Sequence, residues 1–258
     1  MLISADEAYF LGFALVAARV GSAIVVMPFF GASQVPAQVK IVLIVVLSVV
    51  MTPANAGADV LASGEWFPLM FLREILVGLM LGFSVALVFT ALSTAANLIS
   101  VQMGLNLQAL LNPTSAFQSD QDNPLSVFYG MLATVIFLTV NGHHQLLLGL
   151  QATFDLVPLN SFEMQPGQTS VLAALTTTMI VSAFQIAFPI MAALLIADVA
   201  AGLLARMVPQ INVFFVNLPL KIFLGFLVML VSMPFTISFF RDRGVQDSVE
   251  NLGLVLGG

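Results

Sequence analysis

Apolar residues run almost unbroken along this chain, in stretches of roughly 9–30, 39–52, 67–99, 125–140, 171–204 and 211–240, with a shorter one from Gln145 to Leu150. Runs this long cannot be single strands, so each predicts a helix. The breaks between them carry helix-ending residues: Pro36, Pro53, Asn112-Pro113, Asn123-Pro124, Asn141-Gly142, Pro158, Pro166-Gly167 and Pro209. No polar linker divides the chain. The pattern predicts one all-α domain over residues 1–258.

The lengths of these stretches do not fit a set of simple spans. A helix needs about 20 residues to cross a hydrocarbon core about 30 Å thick. Ile41 to Met51 would rise only about 16 Å, whereas 67–99 and 171–204 would each rise about 50 Å. Pro189 and Pro219 sit inside apolar stretches, where a kink would absorb part of the excess and neighbouring helices must satisfy the freed carbonyls.

Composition places the chain in or against apolar surroundings. Hydrophobic residues make up 60% and charged residues only 8%, against about 25% charged in an ordinary soluble domain. Mean hydropathy is +1.06. Seven Lys and Arg with thirteen Asp and Glu cannot cover a water-facing surface, so the chain is expected to associate with a membrane. The net charge of −6 leaves no basic cluster for nucleic-acid phosphates. There are no cysteines, hence no disulfide, thiolate metal site or cysteine nucleophile.

Asp6, Glu7 and Arg19 spoil a signal peptide at the start. Lys40, the apolar run Ile41 to Met51 and then Ala54-Asn55-Ala56 imitate a cleavage pattern, but read as a helix followed by a loop. Basic residues do not set an orientation, because with six crossings Arg206 falls on the opposite side from Arg241 and Arg243.

Charges inside the apolar stretches are the first candidates for function. Arg19, Arg73, Glu74, Asp198 and Lys221 would each cost about 2.5–3.5 kcal/mol near a bilayer centre, so they must be partnered, snorkelling or outside the hydrocarbon. Arg73 and Glu74 are sequence neighbours and point different ways on a helix, so each is expected to meet a partner on another helix or chain. Asp198, two turns before Arg206, reads as a buried polar contact. For helix packing, Gly78-xxx-Gly82 and the ladder Ala193, Ala197, Ala201 and Ala205 allow close backbone approach, within this chain or between subunits.

Catalytic chemistry is not expected. His143-His144 are adjacent, so they do not share a helix face, and no third ligand stands at suitable spacing. The chain carries no phosphate-binding loop, nucleophile elbow or H-E-x-x-H motif. It reads as a non-enzyme without cofactor or metal. The two Asn-Pro turns lie eleven positions apart in one loop, with no internal repeat to support a water-channel analogy.

That loop, Asn106 to Asn123, is the exception in a greasy chain, with Gln108, Asn112, Thr114, Ser115, Gln118, Ser119, Asp120, Gln121 and Asp122. Lipid cannot solvate such a backbone, so it must face water, a pore or protein. An ordinary exterior loop and a pore segment both satisfy that demand.

Five stretches in order resemble the flagellar biosynthetic FliR family, the R component of the type III export gate, whose virulence counterpart is the T component. They are RVGSAIVVMPFFG (Arg19 to Gly31), REILVGLMLGF (Arg73 to Phe83), QMGLN (Gln102 to Asn106), FLTVNGHH (Phe137 to His144) and PQINVFFVNLPLKIFLG (Pro209 to Gly225). The last favours the flagellar branch. The chain departs from the family pattern at Ala96-Asn97, where Gly-Glu is expected, and at Asn112, where Asp is expected.

The resemblance implies a P-like part over about 1–170, a Q-like helical hairpin over about 171–240 turning at Pro209, and a tail at 241–258. It implies assembly with P and Q subunits into a helical, cone-shaped entry portal at the bacterial inner membrane and flagellar basal body, much of it above the bilayer plane. Neighbouring subunits would then cover the over-long helices and buried charges. It further implies a pore-plugging segment built from Gln102, Met103, Gly104, Asn106, Asn112, Pro113, Thr114, Phe117, Asp120 and Asp122. Polar contacts inside the chain or between subunits would come from Arg19, Arg73, Glu74, Asp198, Arg206 and Lys221. The switch protein of the apparatus would help open the gate to unfolded flagellar export substrates, with energy supplied elsewhere. The competing expectation is a proton-coupled small-solute transporter using Arg73, Glu74 and Asp198, and it requires an internal repeat that the chain lacks.

Overall fold

The computed structural model describes residues 5–28, 30–31, 35–55, 66–105, 123–163, 166–210 and 212–243. Among them every regular element is an α-helix: α1 (Ala5–Val26), α2 (Ala37–Asn55), α3 (Phe67–Met103), α4 (Pro124–Thr139), α5 (Gly142–Leu156), α6 (Pro166–Met207) and α7 (Val213–Arg243). The protein is an all-α membrane protein. Among the described residues, four helical segments are long and apolar enough to cross a membrane: Tyr9–Val26, Phe67–Met103, Gln168–Met207 and Phe215–Arg241. Helices α4 and α5 pass the same test only as a joined pair.

The long elements are longer than the apolar runs that predict them. Helix α3 has 37 residues and α6 has 42, so they rise about 55 and 63 Å. Pro189 lies inside α6, and Pro219 and Pro234 lie inside α7.

Helix α2 also exceeds expectation. It begins just after Pro36, whose carbonyl accepts from the Val39 and Lys40 amides, and it runs past Pro53. Ser48 Oγ donates to the Ile44 carbonyl and Thr52 Oγ1 to that of Ser48, so both hydroxyls are satisfied within the helix.

The break between α4 and α5 is local. Asn141 sits in the left-handed region (φ 55°, ψ 33°), and its carbonyl accepts from His144 and Gln145. Asparagine tolerates this conformation better than most residues. Asn141→Gly is therefore expected to leave the detergent melting temperature unchanged or slightly raised. Asn141→Val lowers stability by about 1–2 kcal/mol, and equal melting of the two variants would refute the assignment.

The chain divides into two compact units. The first contains α1, α2, α3 up to Val88, α5 and the start of α6 to Thr176. Its apolar cluster is Val77, Met80, Val157 and Phe162, with Leu76, Val171, Leu172 and Leu175 packed on it. Helices α1 and α3 cross at glycines. A Cβ at Gly78 would strike Ser22 Oγ and the Arg19 carbonyl, and one at Gly82 would stand 2.8 Å from the Ala23 carbonyl.

The second unit contains α3 from Phe89, α4, α6 from Thr177 and α7 to Asp242. Phe89 makes edge-on ring contacts with Phe137 and Phe240, each at 5.5 Å. Helices α6 and α7 form the hairpin whose connection contains Pro209. Ala193, Ala197 and Ala201 of the ladder line a groove of about 430 Å³ there, opposite Val216 and Leu220. Ala205 is exposed. The hairpin covers little of itself: its two spanning windows are 28% and 22% buried, against 56% for α3. Phe188, Ile196, Phe223 and Val231 all point outward.

Candidate functional site

Two polar centres interrupt the apolar packing, one in each unit. In the second unit the polar groups gather where the chain leaves α3 and where it enters α4, on the flanks of residues 106–122. Helix α3 ends at a glycine. Gly104 takes φ +77°, its amide donates to the Val101 carbonyl at 3.1 Å, and the Leu105 amide donates to that of Ser100 at 3.0 Å. This is the paired closure that a left-handed residue after a helix provides.

Just before that glycine, Gln102 Nε2 donates to Asp198 Oδ2 at 3.2 Å. The same carboxylate accepts from Lys221 Nζ at 2.9 Å and, through Oδ1, from Asn217 Nδ2 at 3.2 Å. Met103 is fully buried, and its side chain leaves no room for a Cβ at Gly225.

The entry to α4 is held by uncharged groups. Asn123 Nδ2 donates to Asn97 Oδ1 at 2.8 Å, and Ser126 Oγ donates to the same oxygen at 2.6 Å. Ser100 Oγ and the Leu125 amide both donate to Asn123 Oδ1. Asn97 works here as a neutral acceptor.

The first unit holds a buried ion pair. Arg19 Nε donates to Glu74 Oε2 at 2.6 Å, and both side chains are 0% exposed. Arg19 Nη1 donates to the Thr153 and Val157 carbonyls at 2.9 Å each. Its guanidinium lies 4.3 Å from the centre of the Phe154 ring, within cation–π range. The cation thus meets the carbonyl end of α5, where positive charge is favoured. Glu74 Oε1 accepts from the Asn160 amide, while Arg73 Nη1 donates to the Asn160 side chain and carbonyl. Arg73 and Glu74, expected to point different ways, both reach the same turn, in which Asn160 has φ 64°.

The remaining predicted residues are not drawn into either centre. Arg206 is exposed. His143 and His144 place their rings 4.3 Å apart in the first turn of α5, and no group of three metal-ligating side chains occurs among the described residues. Asn106, Asn112, Pro113, Thr114, Phe117, Asp120 and Asp122 lie outside the described residues.

Sequence reasoning alone misses Asn97, Asn123, Ser126, Asn160 and Asn217 as structural polar groups. Two of them carry a usable signal: Asn123 precedes Pro124 as a helix-capping residue, and Asn217 stands four residues before Lys221 on one face of α7. What these centres can do is hold backbone segments in place. They assemble no nucleophile beside a base.

Comparison with known proteins decides the class. Residues 10–244 match the family described as bacterial export proteins, family 1. The chain belongs to that family. Among its relatives, flagellar biosynthetic protein FliR of Bacillus subtilis is 33% identical, over 87% of this chain and 86% of its own. FliR of Escherichia coli is 29% identical, over 86% and 84%. Surface presentation of antigens protein SpaR of Shigella sonnei is 27% identical, over 80% and 78%.

This member of the bacterial export proteins is therefore a membrane component of a flagellar or type III export apparatus. Both polar centres lie inside the matched range. Arg19, Glu74, Asp198 and Lys221 thus sit within it.

Proposed function

We propose that this chain is a structural and gating subunit of the flagellar type III protein export channel, seated in the bacterial inner membrane at the flagellar basal body. It forms the entry portal with P and Q subunits, contributing a P-like part over about 1–170 and a Q-like hairpin over about 171–240. The polar segment near 106–123 plugs the pore. The switch protein biases that plug toward opening, and unfolded flagellar substrates pass through. The chain performs no catalysis.

The observation that carries this reading is the treatment of that segment's two flanks. A greasy helical unit pairs polar side chains with one another there, Gln102, Asp198 and Lys221 on one side and Asn97, Ser100 and Asn123 on the other. Ser100 and Asn123 are buried and the others half-buried; polar groups taken from water are costly unless paired, so their pairing on both flanks argues that the segment's position matters. The outward-facing hairpin, with Phe188 and Phe223 exposed, supports burial by neighbours or lipid.

The mass of the detergent-extracted complex tests the assignment, with the chain expressed alone and beside P and Q. One large defined assembly, with an unstable lone chain, is the expected result. A well-behaved monomer or dimer that ignores both partners overturns it and favours a proton-coupled transporter. The plug has its own check. Shortening residues 107–121 is expected to raise ion leak through the assembled complex, and an unchanged leak rejects that role.

A further inference from the structure

We propose that Asp198 is a positioning residue that sets where α3 ends on the α6–α7 hairpin. Its functional consequence rests on the export reading above, but the geometry stands apart from it. Asp198 lies within an apolar helix between Ala197 and Val199, where an unpaired carboxylate is expensive. Its oxygens accept from three side chains on two other helices: Gln102 of α3, and Asn217 and Lys221 of α7. Asn217 and Lys221 are four residues apart and so share one face of α7.

The neighbouring contacts between α3 and α7 are apolar. A Cβ on Gly225 would lie 2.7 Å from Met103 Cε, and one on Gly104 would lie 2.9 Å from Leu218 Cδ1. Such contacts hold helices close but are not directional, so they leave sliding along the helix axis weakly opposed. The hydrogen bonds of a carboxylate are directional and strong. Asp198 is therefore the group that selects one register for the last turn of α3.

Acceptor counting ranks the variants. Asp198→Ala strands one cation and two amides. Lys221→Met leaves the carboxylate with two donors, and Gln102→Leu removes one neutral donor while keeping the ion pair. Asp198→Glu restores the acceptor on a longer stem.

The absence of cysteine from the chain makes the experiment clean. Spin labels at Val101→Cys and Phe223→Cys, which are 65% and 68% exposed, report the distance from the end of α3 to α7. This is measured in the complex with P and Q, alongside secretion of a flagellar substrate. The wild-type background is expected to give a narrow distance distribution. Asp198→Ala broadens it and lowers secretion about tenfold or more, the scale of a lost charge-assisted bond. Asp198→Glu recovers part of both. Gln102→Leu, which leaves the hairpin's ion pair whole, also broadens the distribution.

Wild-type width in both Asp198→Ala and Gln102→Leu would overturn the proposal, as would a broadened Asp198→Ala that secretes normally. If the wild-type chain does not assemble with P and Q, the export reading fails instead. The distance distribution of the lone chain then decides the positioning role.

Discussion

Glu74→Ala is expected to cost the protein about 3–5 kcal/mol of stability, because it leaves the Arg19 guanidinium buried without a counter-charge. Arg19 keeps the carbonyls of Thr153 and Val157 and the Phe154 ring, but no anion. The Asn160 amide loses its acceptor at the same time. Arg19→Ala should be equally damaging, since it strands the carboxylate.

A double replacement by apolar residues, Arg19→Met with Glu74→Leu, is expected to recover much of the loss. Removing a whole buried pair also removes its desolvation cost. Arg19→Lys is not expected to rescue, because one ammonium cannot reproduce a planar fork aimed at a carboxylate and two carbonyls. Melting temperature and trypsin resistance of the detergent-extracted protein measure all four variants. A double-variant loss equal to the sum of the two single losses would show that the two residues act independently, and the pair would not be the fastener described.

Gly78→Leu comes next in size. The Cβ of any larger residue there meets the Arg19 carbonyl and Ser22 Oγ. The carbonyl is backbone and cannot turn aside, so α1 and α3 must separate, and the Arg19–Glu74 pair would be pulled apart with them. Overpacking of this kind typically costs about 1–3 kcal/mol, occasionally more. Gly78→Leu is expected at or above the top of that range, with Gly78→Ala inside it.

Two other helical glycines provide the contrast. Gly130 and Gly202 have nothing within 4 Å of a new Cβ, so Gly130→Ala and Gly202→Ala should be neutral or gain up to about 1 kcal/mol from helix propensity. If Gly78→Ala melts like Gly202→Ala, the close crossing of α1 and α3 is not as described.

Much of the fold is legible in the chain of residues itself. The all-α class follows from apolar runs too long for strands. The break at Asn141-Gly142 follows from two residues that accept left-handed backbone, and the Pro209 connection follows from a residue that cannot continue a helix. Pro53 has the same helix-ending character, yet it is part of α2. A proline forfeits one hydrogen bond near a helix end, where the chain has little helix left to lose. The need for partners at Arg19, Glu74, Asp198 and Lys221 is also legible, because charge in apolar surroundings is costly wherever it lies.

Sequence by itself therefore determined the helical class, which stretches are lipid-like and which charges required compensation. These follow from local conformational preference and from transfer cost, properties a residue carries with it. Only the tertiary structure decided who compensates whom. Arg19 lies 55 positions from Glu74 and 134 from Thr153, and Gln102 lies 96 from Asp198. No spacing rule reaches across such separations. The neutral clasp of Asn97, Ser100, Asn123 and Ser126 is harder still to see, because an amide or hydroxyl in a sequence shows no cost until the fold has buried it. Pairing is a property of the three-dimensional arrangement, fixed when helices approach closely enough, as at Gly78 and Gly225, for directional bonds to form between them.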